Sequence, residues 1–160
     1  MIPYGGDLPA PQGDEALRGL GLEAQRYLLY VSRFEPENNP DRVIASYAGV
    51  PGDLPLVLVG GAPYADELQR RLARLAAADR RVGLAGPVYG DGYRQLLFNA
   101  RAYIHATEVG GTHPALVEAM GAGRIVLYLD TLENREVAGD AAVAFRFAPP
   151  YTLTDALREL

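Results

Sequence analysis

The sequence predicts an α/β protein: a Rossmann-like, doubly wound parallel sheet of about six strands, with helices on both faces. Three observations carry that expectation. Short, continuous apolar runs such as Leu56-Val-Leu-Val59 recur along the chain, the pattern of strands buried on both faces. Segments with helical spacing separate them, as in Tyr64 to Ala77. There Leu68, Leu72 and Leu75 share one face, and Arg70, Arg71 and Arg74 lie largely on the other. Glycine pairs and Gly-Pro steps close the strands, at Gly60-Gly61 and Gly86-Pro87. Strands alternating with helices imply parallel crossovers.

Taken in order, residues 1–13 (MIPYGGDLPAPQG) are rich in Gly and Pro and read as an inter-domain linker segment. Residues 14–160 read as one domain, a length sufficient for a real core. Asp14 to Leu22 is a short helix ending near Gly19 or Gly21, and Tyr27 to Arg33 is the first strand. The polar loop Phe34 to Asn39 leads through Pro40 into a helix from Asp41 to Ala48. Leu56 to Val59 is a strand, Tyr64 to Ala77 a helix, Val82 to Ala85 a strand and Gly92 to Ala100 a helix. The run Ala102-Tyr-Ile-His-Ala106 is a strand, followed by a helix beginning at Pro114. Arg124 to Leu129 and Ala142 to Phe147 are strands flanking a short helix, Leu132 to Val137. A last helix begins at Thr154.

Hydrophobic residues make up 49% and charged residues 22%, ordinary values for a globular protein. No apolar run reaches the length of a membrane span, and no signal-peptide pattern is visible. Cysteine is absent, so disulfides and thiolate metal sites are excluded. Two histidines, His105 and His113, are too few and too poorly spaced for zinc. All 15 basic residues are arginine, which excludes lysine chemistry such as a Schiff base or a P-loop lysine. The net charge of −5 and the lack of an aromatic-interleaved basic cluster argue against nucleic acid as a partner.

The segment from Glu108 to Gly123 organises the remainder. A strand runs into the glycine pair Gly110-Gly111, then Thr112 as N-cap, and a helix opens at Pro114 and ends in glycine. Unpaired N–H groups and the positive dipole end at such a helix start can hold an anion such as a diphosphate. Glu118, one turn further on, can accept hydrogen bonds from a sugar hydroxyl; an ordinary strand-to-helix turn with a solvated glutamate fits equally well. Arg33 closes the first strand and can grip a phosphate bidentately, or pair with Glu35 or Glu37. Gly60, Gly61 and the Gly86-Pro-Val-Tyr89 step either let backbone approach a ligand or merely turn the chain. His113 can add a donor to a phosphate or lie exposed in its loop. His105, inside a strand, reads as a packed, hydrogen-bonded core residue.

Several of these segments resemble, in order and spacing, the C-terminal donor-binding domain of GT-B glycosyltransferases, specifically glycosyltransferase family 4 (group 1). Ile2-Pro-Tyr-Gly-Gly-Asp7 resembles the entry to the second domain. Tyr30-Val-Ser-Arg33 with Glu35-Pro-Glu-Asn38 resembles the family's arginine loop. Leu58-Val-Gly-Gly61, Gly86-Pro-Val88, Glu118-Ala-Met-Gly-Ala-Gly123 and Gly139-Asp-Ala-Ala142 follow in place. The Gly-Gly-Thr before the proline is most similar to the subgroup making bacterial surface polysaccharides, including rhamnosyltransferases.

The resemblance implies a retaining enzyme that moves a hexosyl or deoxyhexosyl group from a nucleoside-diphosphate sugar to a glycan or lipid-linked acceptor. It implies no cofactor and no metal, and no Asp-x-Asp motif occurs. Arg33 would meet the donor diphosphate, which backbone N–H groups at Gly110, Gly111, Thr112 and His113 would cradle. Gly61, Pro87 and Val88 would line the donor site, with the nucleobase against Pro87 and Val88. Glu118 would hold the ribose. Where the family usually carries a lysine stands Asn38, which would join the donor-binding set by donating a hydrogen bond but supplies no charge. The family's two glutamates are eight apart; eight before Glu118 is Gly110, and Glu108 is two positions out of register. Glu108 is therefore either a sugar-contacting catalytic group beside Arg33 or a solvated loop carboxylate.

The further partners implied are the N-terminal acceptor domain of the same enzyme, expected to be missing here, and the acceptor itself. Also implied is a cytoplasmic location, with peripheral association of the full enzyme at the membrane's inner face. The isolated chain is expected to be inactive. Alternatives are half of a GT-B nucleotide-sugar epimerase or a non-catalytic Rossmann-like nucleotide-binding module.

Overall fold

A computed structural model describes residues 5–6, 8–61, 66–110 and 113–160. Six strands form one sheet: β1 (Leu28–Val31), β2 (Leu56–Val59), β3 (Val82–Gly86), β4 (Ala102–His105), β5 (Ile125–Leu129) and β6 (Val143–Phe145). Their spatial order is β3-β2-β1-β4-β5-β6, and every pairing is parallel. Leu28 of β1 stands opposite Leu56 of β2 on one side and Ala102 of β4 on the other. The order reverses between β1 and β4, the switch point at whose carboxyl ends sheets of this topology offer a ligand crevice.

Seven helices cover the sheet among the described residues: α1 (Glu15–Gly19), α2 (Pro40–Tyr47), α3 (Asp66–Ala78), α4 (Gly90–Asn99), α5 (Pro114–Gly121), α6 (Leu132–Ala138) and α7 (Leu153–Arg158). Because side chains alternate across a strand, each strand feeds two cores. Leu28, Tyr30, Leu58, Ile104 and Leu127 pack under α2, α3 and α7 through Val43, Ile44, Leu72 and Leu157. Leu29, Val57, Tyr103 and Val126 pack under α1, α4, α5 and α6 through Leu17, Leu96, Leu97, Leu116 and Ala138. This double burial is why the central strands are apolar at every position but His105. At roughly 1.5–3 kcal/mol for each large aliphatic side chain buried, the two cores are the main favourable term.

Helix ends carry the expected devices. Thr131 caps α6 by accepting from the N–H of Asn134 at 3.1 Å, and Thr152 with Asp155 forms a reciprocal capping box on α7. Several helix ends shift by a residue or two from the sequence reading, and two are built differently from it. Residues 36–38 form a 3-10 turn rather than loop, and Asn39 in the left-handed region then starts α2 at Pro40. The N-cap of α5 is His113, at φ 43°, in place of Thr112, which lies outside the described residues with Gly111. The cause is Pro114, whose ring bars the preceding residue from helical φ/ψ, so that His113 becomes the cap and the helix starts at Pro114.

The entering chain lies across the far end of α5. A Cβ on Gly121 would sit 1.9 Å from the Gly6 carbonyl oxygen, so the two backbones touch where no side chain fits.

Candidate functional site

The strand ends meet at two glycine-dependent joints. Gly60 has φ +150°, and a Cβ there would fall 1.8 Å from the Ser32 carbonyl oxygen. That approach lets the Ser32 N–H bond to Val59 O (3.1 Å), the Phe34 N–H to Gly61 O (2.9 Å) and the Gly60 N–H to Gly86 O (2.9 Å). The ends of β1, β2 and β3 are thereby fused into one rim. At the other joint, Gly110 has φ +153°, and its missing Cβ makes room for the His113 ring, 2.7 Å away at Cε1.

Above the fused rim is a cleft of about 610 Å³, bordered by α4 and α5 and, through Gln69, by α3 of the other face. Val31, Arg33, Gly60 and Gly61 line it from β1 and β2, Pro87 to Tyr89 from the end of β3, and Ala115 from the first turn of α5. Arg33 reaches over it with its side chain 81% exposed, its guanidinium 3.4 Å from the Glu35 carboxylate. The contrast with Arg81 is informative. Arg81 is largely buried, binds Asp79 at 2.6 Å and the carbonyls of Val50 and Gly52, and lies over the Tyr47 ring. Arg81 is a structural clasp, whereas Arg33 keeps a solvated guanidinium that an anion can take over from Glu35.

Glu118 lies one turn along α5 from Ala115, on the same side of the helix. Its Oε2 accepts from the Tyr93 hydroxyl of α4 at 2.7 Å. Burial, then the neighbouring Tyr103 and Glu118, push the Tyr93 phenol above its usual range, so it remains a hydrogen-bond donor.

On the other face of the same strand ends, the loops are tied together. Asn38 Nδ2 donates to the Arg33 carbonyl (2.7 Å), and its Oδ1 accepts from Thr107 Oγ1 (2.9 Å). Asn39 Nδ2 donates to the Ala106 carbonyl (2.9 Å), and the Glu108 N–H to the Glu37 carbonyl (2.8 Å). The Glu108 carboxylate meets Arg42 of α2 at 3.3 Å, and the Arg42 guanidinium also covers the Phe147 ring at 4.0 Å. Glu108 is thus ion-paired, and Asn38 directs both ends of its amide into the loop framework that presents Arg33.

The histidines form a buried pair. His113, read from sequence as an exposed loop residue or a phosphate donor, turns its ring inward, edge-on to His105 with centroids 4.9 Å apart. What His113 offers a ligand is therefore backbone. Burial, reinforced by the His113 ring, holds His105 well below the usual imidazole range, at about 3, and burial lowers His113 in the same direction. His105 is packed as expected, but its Nε2, like that of His113, has no hydrogen-bond partner among the described residues.

The family model described as "Glycosyl transferases group 1" matches residues 14–160. The chain belongs to that family. This glycosyltransferase domain is similar in structure to Anabaena Alr3699/HepE in complex with UDP and glucose. The TM-score is 0.74 at 21% identity, covering 91% of this chain and 41% of that one. It is similar also to a glycosyltransferase from Rickettsia africae ESF-5 (TM-score 0.72, 12% identity, 91% and 39% covered). A third likeness is to WaaG, a glycosyltransferase involved in lipopolysaccharide biosynthesis (TM-score 0.64, 19% identity, 91% and 39% covered). The chain therefore spans about two fifths of the length of these proteins. At these identities the likeness shows the fold, a GT-B-type Rossmann-like unit. No curated protein matches.

In this glycosyltransferase domain, Arg33, Gly61, Pro87 and Val88 share one cleft, with Glu118 one turn along the helix that contributes Ala115. Glu108 and Asn38 fall on the tied side, Gly110 and His113 at the joint beneath α5, and Gly111 and Thr112 lie outside the described residues. Sequence reasoning named Tyr89 only as part of a backbone turn and passed over Tyr93. Tyr89, 82% exposed, stands at the cleft edge, and four residues later Tyr93 reaches Glu118. Their spacing, two aromatics one helical turn apart directly after a Gly-Pro-Val strand end, was the available signal. Among the described residues no cluster of His, Cys, Asp or Glu could hold a metal ion, and no helix is long and apolar enough to cross a membrane.

Proposed function

We propose that this group 1 glycosyltransferase domain binds a nucleoside-diphosphate sugar as the donor half of a retaining, family 4-like enzyme. The acceptor would be a glycan or lipid-linked saccharide, and the Gly-Gly-Thr before Pro114 favours the rhamnosyltransferase-like subgroup that builds surface polysaccharides. The observation that carries this reading is the cleft itself. It places a solvated arginine, backbone-exposing glycines and the start of α5 around one cavity at the carboxyl ends of β1 to β3. Solved structures of the same fold that hold UDP support a pyrimidine nucleotide as the first ligand to try.

In this reading Arg33 and the N–H groups opening α5 meet the diphosphate, Gly61, Pro87 and Val88 line the base side, and Glu118 holds the ribose. Transfer breaks the bond between the anomeric carbon and the diphosphate oxygen and forms a new glycosidic bond to the acceptor oxygen. Negative charge grows on the departing diphosphate, and preorganised N–H donors and a guanidinium stabilise charge that develops there. Metal-free departure and a cytoplasmic, membrane-peripheral setting belong to the same proposal. Glu108, across the strand ends, is the carboxylate proposed to meet the sugar, and it would first have to leave Arg42. The acceptor surface would come from a second domain, and transfer by these 160 residues alone is not expected.

Thermal unfolding with UDP, dTDP, GDP and NAD tests the reading. A nucleoside diphosphate at ten times its dissociation constant adds about 1.4 kcal/mol, a rise of a few degrees. Arg33→Ala should weaken that binding roughly tenfold or more, the scale of one charge-assisted hydrogen bond, while leaving the midpoint without ligand unchanged. Stabilisation by NAD alone, or binding indifferent to Arg33, would overturn it.

A further inference from the structure

The hydrogen bond between Tyr93 and Glu118 links two elements that the donor reading uses separately. Helix α4 starts directly after the cleft-lining Val88 and Tyr89, and α5 starts beside the same cleft at Ala115. One turn into each helix, Tyr93 and Glu118 meet at 2.7 Å. The carboxylate's second oxygen has no partner among the described residues. An unheld glutamate on a helix surface samples several rotamers and loses that freedom on binding.

Tyr93 is itself firmly placed. Gln95, buried two residues on, accepts from the Ala16 N–H at 2.8 Å and donates to the Gln12 carbonyl at 2.6 Å, fixing the rotation of α4 against the entering chain. Gly92 brings α4 close to Val88 and α1: a Cβ there would stand 3.1 Å from Val88 Cγ1 and 3.7 Å from Ala16 Cβ. The helix can neither roll nor lift without breaking these contacts, so the phenol is delivered to one point.

We propose that Tyr93 is a positioning residue that sets the nucleotide's ribose recognition, by holding one oxygen of Glu118 so that the other is preoriented for a sugar hydroxyl. This rests on the donor-binding reading above. It adds that recognition of the ribose is shared between the base-side helix and the phosphate-side helix.

The test compares, by calorimetry on the whole chain, the nucleoside diphosphate bound most tightly of UDP, GDP, ADP and dTDP with its 2′,3′-dideoxy counterpart. Wild-type protein should prefer the hydroxylated nucleotide roughly tenfold or more, and Glu118→Ala should abolish the preference. Tyr93→Phe keeps the ring and deletes only the hydroxyl. It should lower the preference at least about threefold while the dideoxy affinity stays within a factor of two. Equal weakening of both nucleotides by Tyr93→Phe, at an unchanged unfolding midpoint, would make Tyr93 a packing residue and overturn the proposal. So would a preference that survives Tyr93→Phe but not Glu118→Ala, with the donor reading left standing. If no nucleoside diphosphate binds wild-type protein, the donor reading fails first and this proposal with it.

Discussion

The two faces of the sheet end in opposite ways at the same strands. On the α2 face, the loops after β1 and β4 are tied through Asn38, Asn39, Thr107 and the Arg42–Glu108 pair. On the α4–α5 face, the ends of β1, β2 and β3 are fused by backbone contacts, and the space above them is left as a cleft. Topology alone places a ligand crevice where β1 and β4 part. Here the protein's own side chains tie the two loops on the α2 face, leaving a smaller hollow of about 410 Å³ beside Asn39 and Arg42, while the larger room, about 610 Å³, lies above the fused rim. The tied face works as a frame: Asn38 holds the carbonyl of Arg33, and Arg33 reaches across to the open face.

The sharpest way to break this arrangement is at the rim. Gly60→Ala would drive a Cβ to 1.8 Å from the Ser32 carbonyl oxygen, at a φ that L-residues rarely adopt. The joint would have to open, with a destabilisation of about 3 kcal/mol or more and loss of the cleft. Urea unfolding measures it. A variant within about 0.5 kcal/mol of wild type would mean the rim is soft and the cleft's shape is not set by Gly60.

The central strands were legible because burial on both faces leaves almost no polar positions, His105 being the exception. The run Leu56 to Val59 has the same bounds in sequence and structure, and the others differ by a residue or two at the ends. Most of the cleft was legible too, because glycines and Gly-Pro steps at strand ends report where backbone must come close. The tied face was not. Asn38 and Asn39 look like loop polars, and their partners Thr107 and Ala106 lie 69 and 67 residues away. Nor was the Tyr93–Glu118 bond, 25 residues apart, since each side chain alone fits a solvated helix face. His113 misled for a local reason: Pro114 forces it out of the helix, and the space left by Gly110 then admits its ring to the interior.

Acid probes the seam between the two faces, where His105 ends β4 and His113 begins α5. In the unfolded chain both imidazoles take up protons near pH 6.5. In the fold His105 resists protonation down to about pH 3, and His113 is lowered as well, in both cases chiefly by burial. The unfolded state therefore binds more protons in this window. The stabilisation is fully present above pH 6.5 and is lost as the pH falls below it, by about 1.4 kcal/mol per unit for each histidine that stays neutral. At pH 5 the loss from His105 alone is about 2 kcal/mol. The carboxylates held low by arginine or by hydrogen bonds (Asp79, Asp91, Asp130 and Asp155) lose their contribution only below about pH 4. Urea midpoints at pH 7.5 and pH 5.0, with imidazole proton shifts followed in the folded protein, check this. A His105 ring titrating near pH 6.5 in the folded state would remove the effect.

The smallest effect is expected from Glu108→Gln, and it is the one that separates the two faces functionally. The Arg42–Glu108 pair is about half exposed on both sides, so its loss should cost less than about 1 kcal/mol. Arg42 would keep its place over Phe147, a contact worth about 0.5–1 kcal/mol. If the open face alone binds the nucleotide, UDP affinity in Glu108→Gln should stay within a factor of two of wild type, whereas Arg33→Ala loses tenfold or more. Titrating the same variant with a UDP-sugar then isolates the sugar. A deficit confined to the sugar nucleotide assigns the carboxylate to the transferred group, and equal affinities leave it as the lock on Arg42. A loss of UDP binding as large as that of Arg33→Ala would mean that the nucleotide spans the tied face, and the division between frame and cleft would fall.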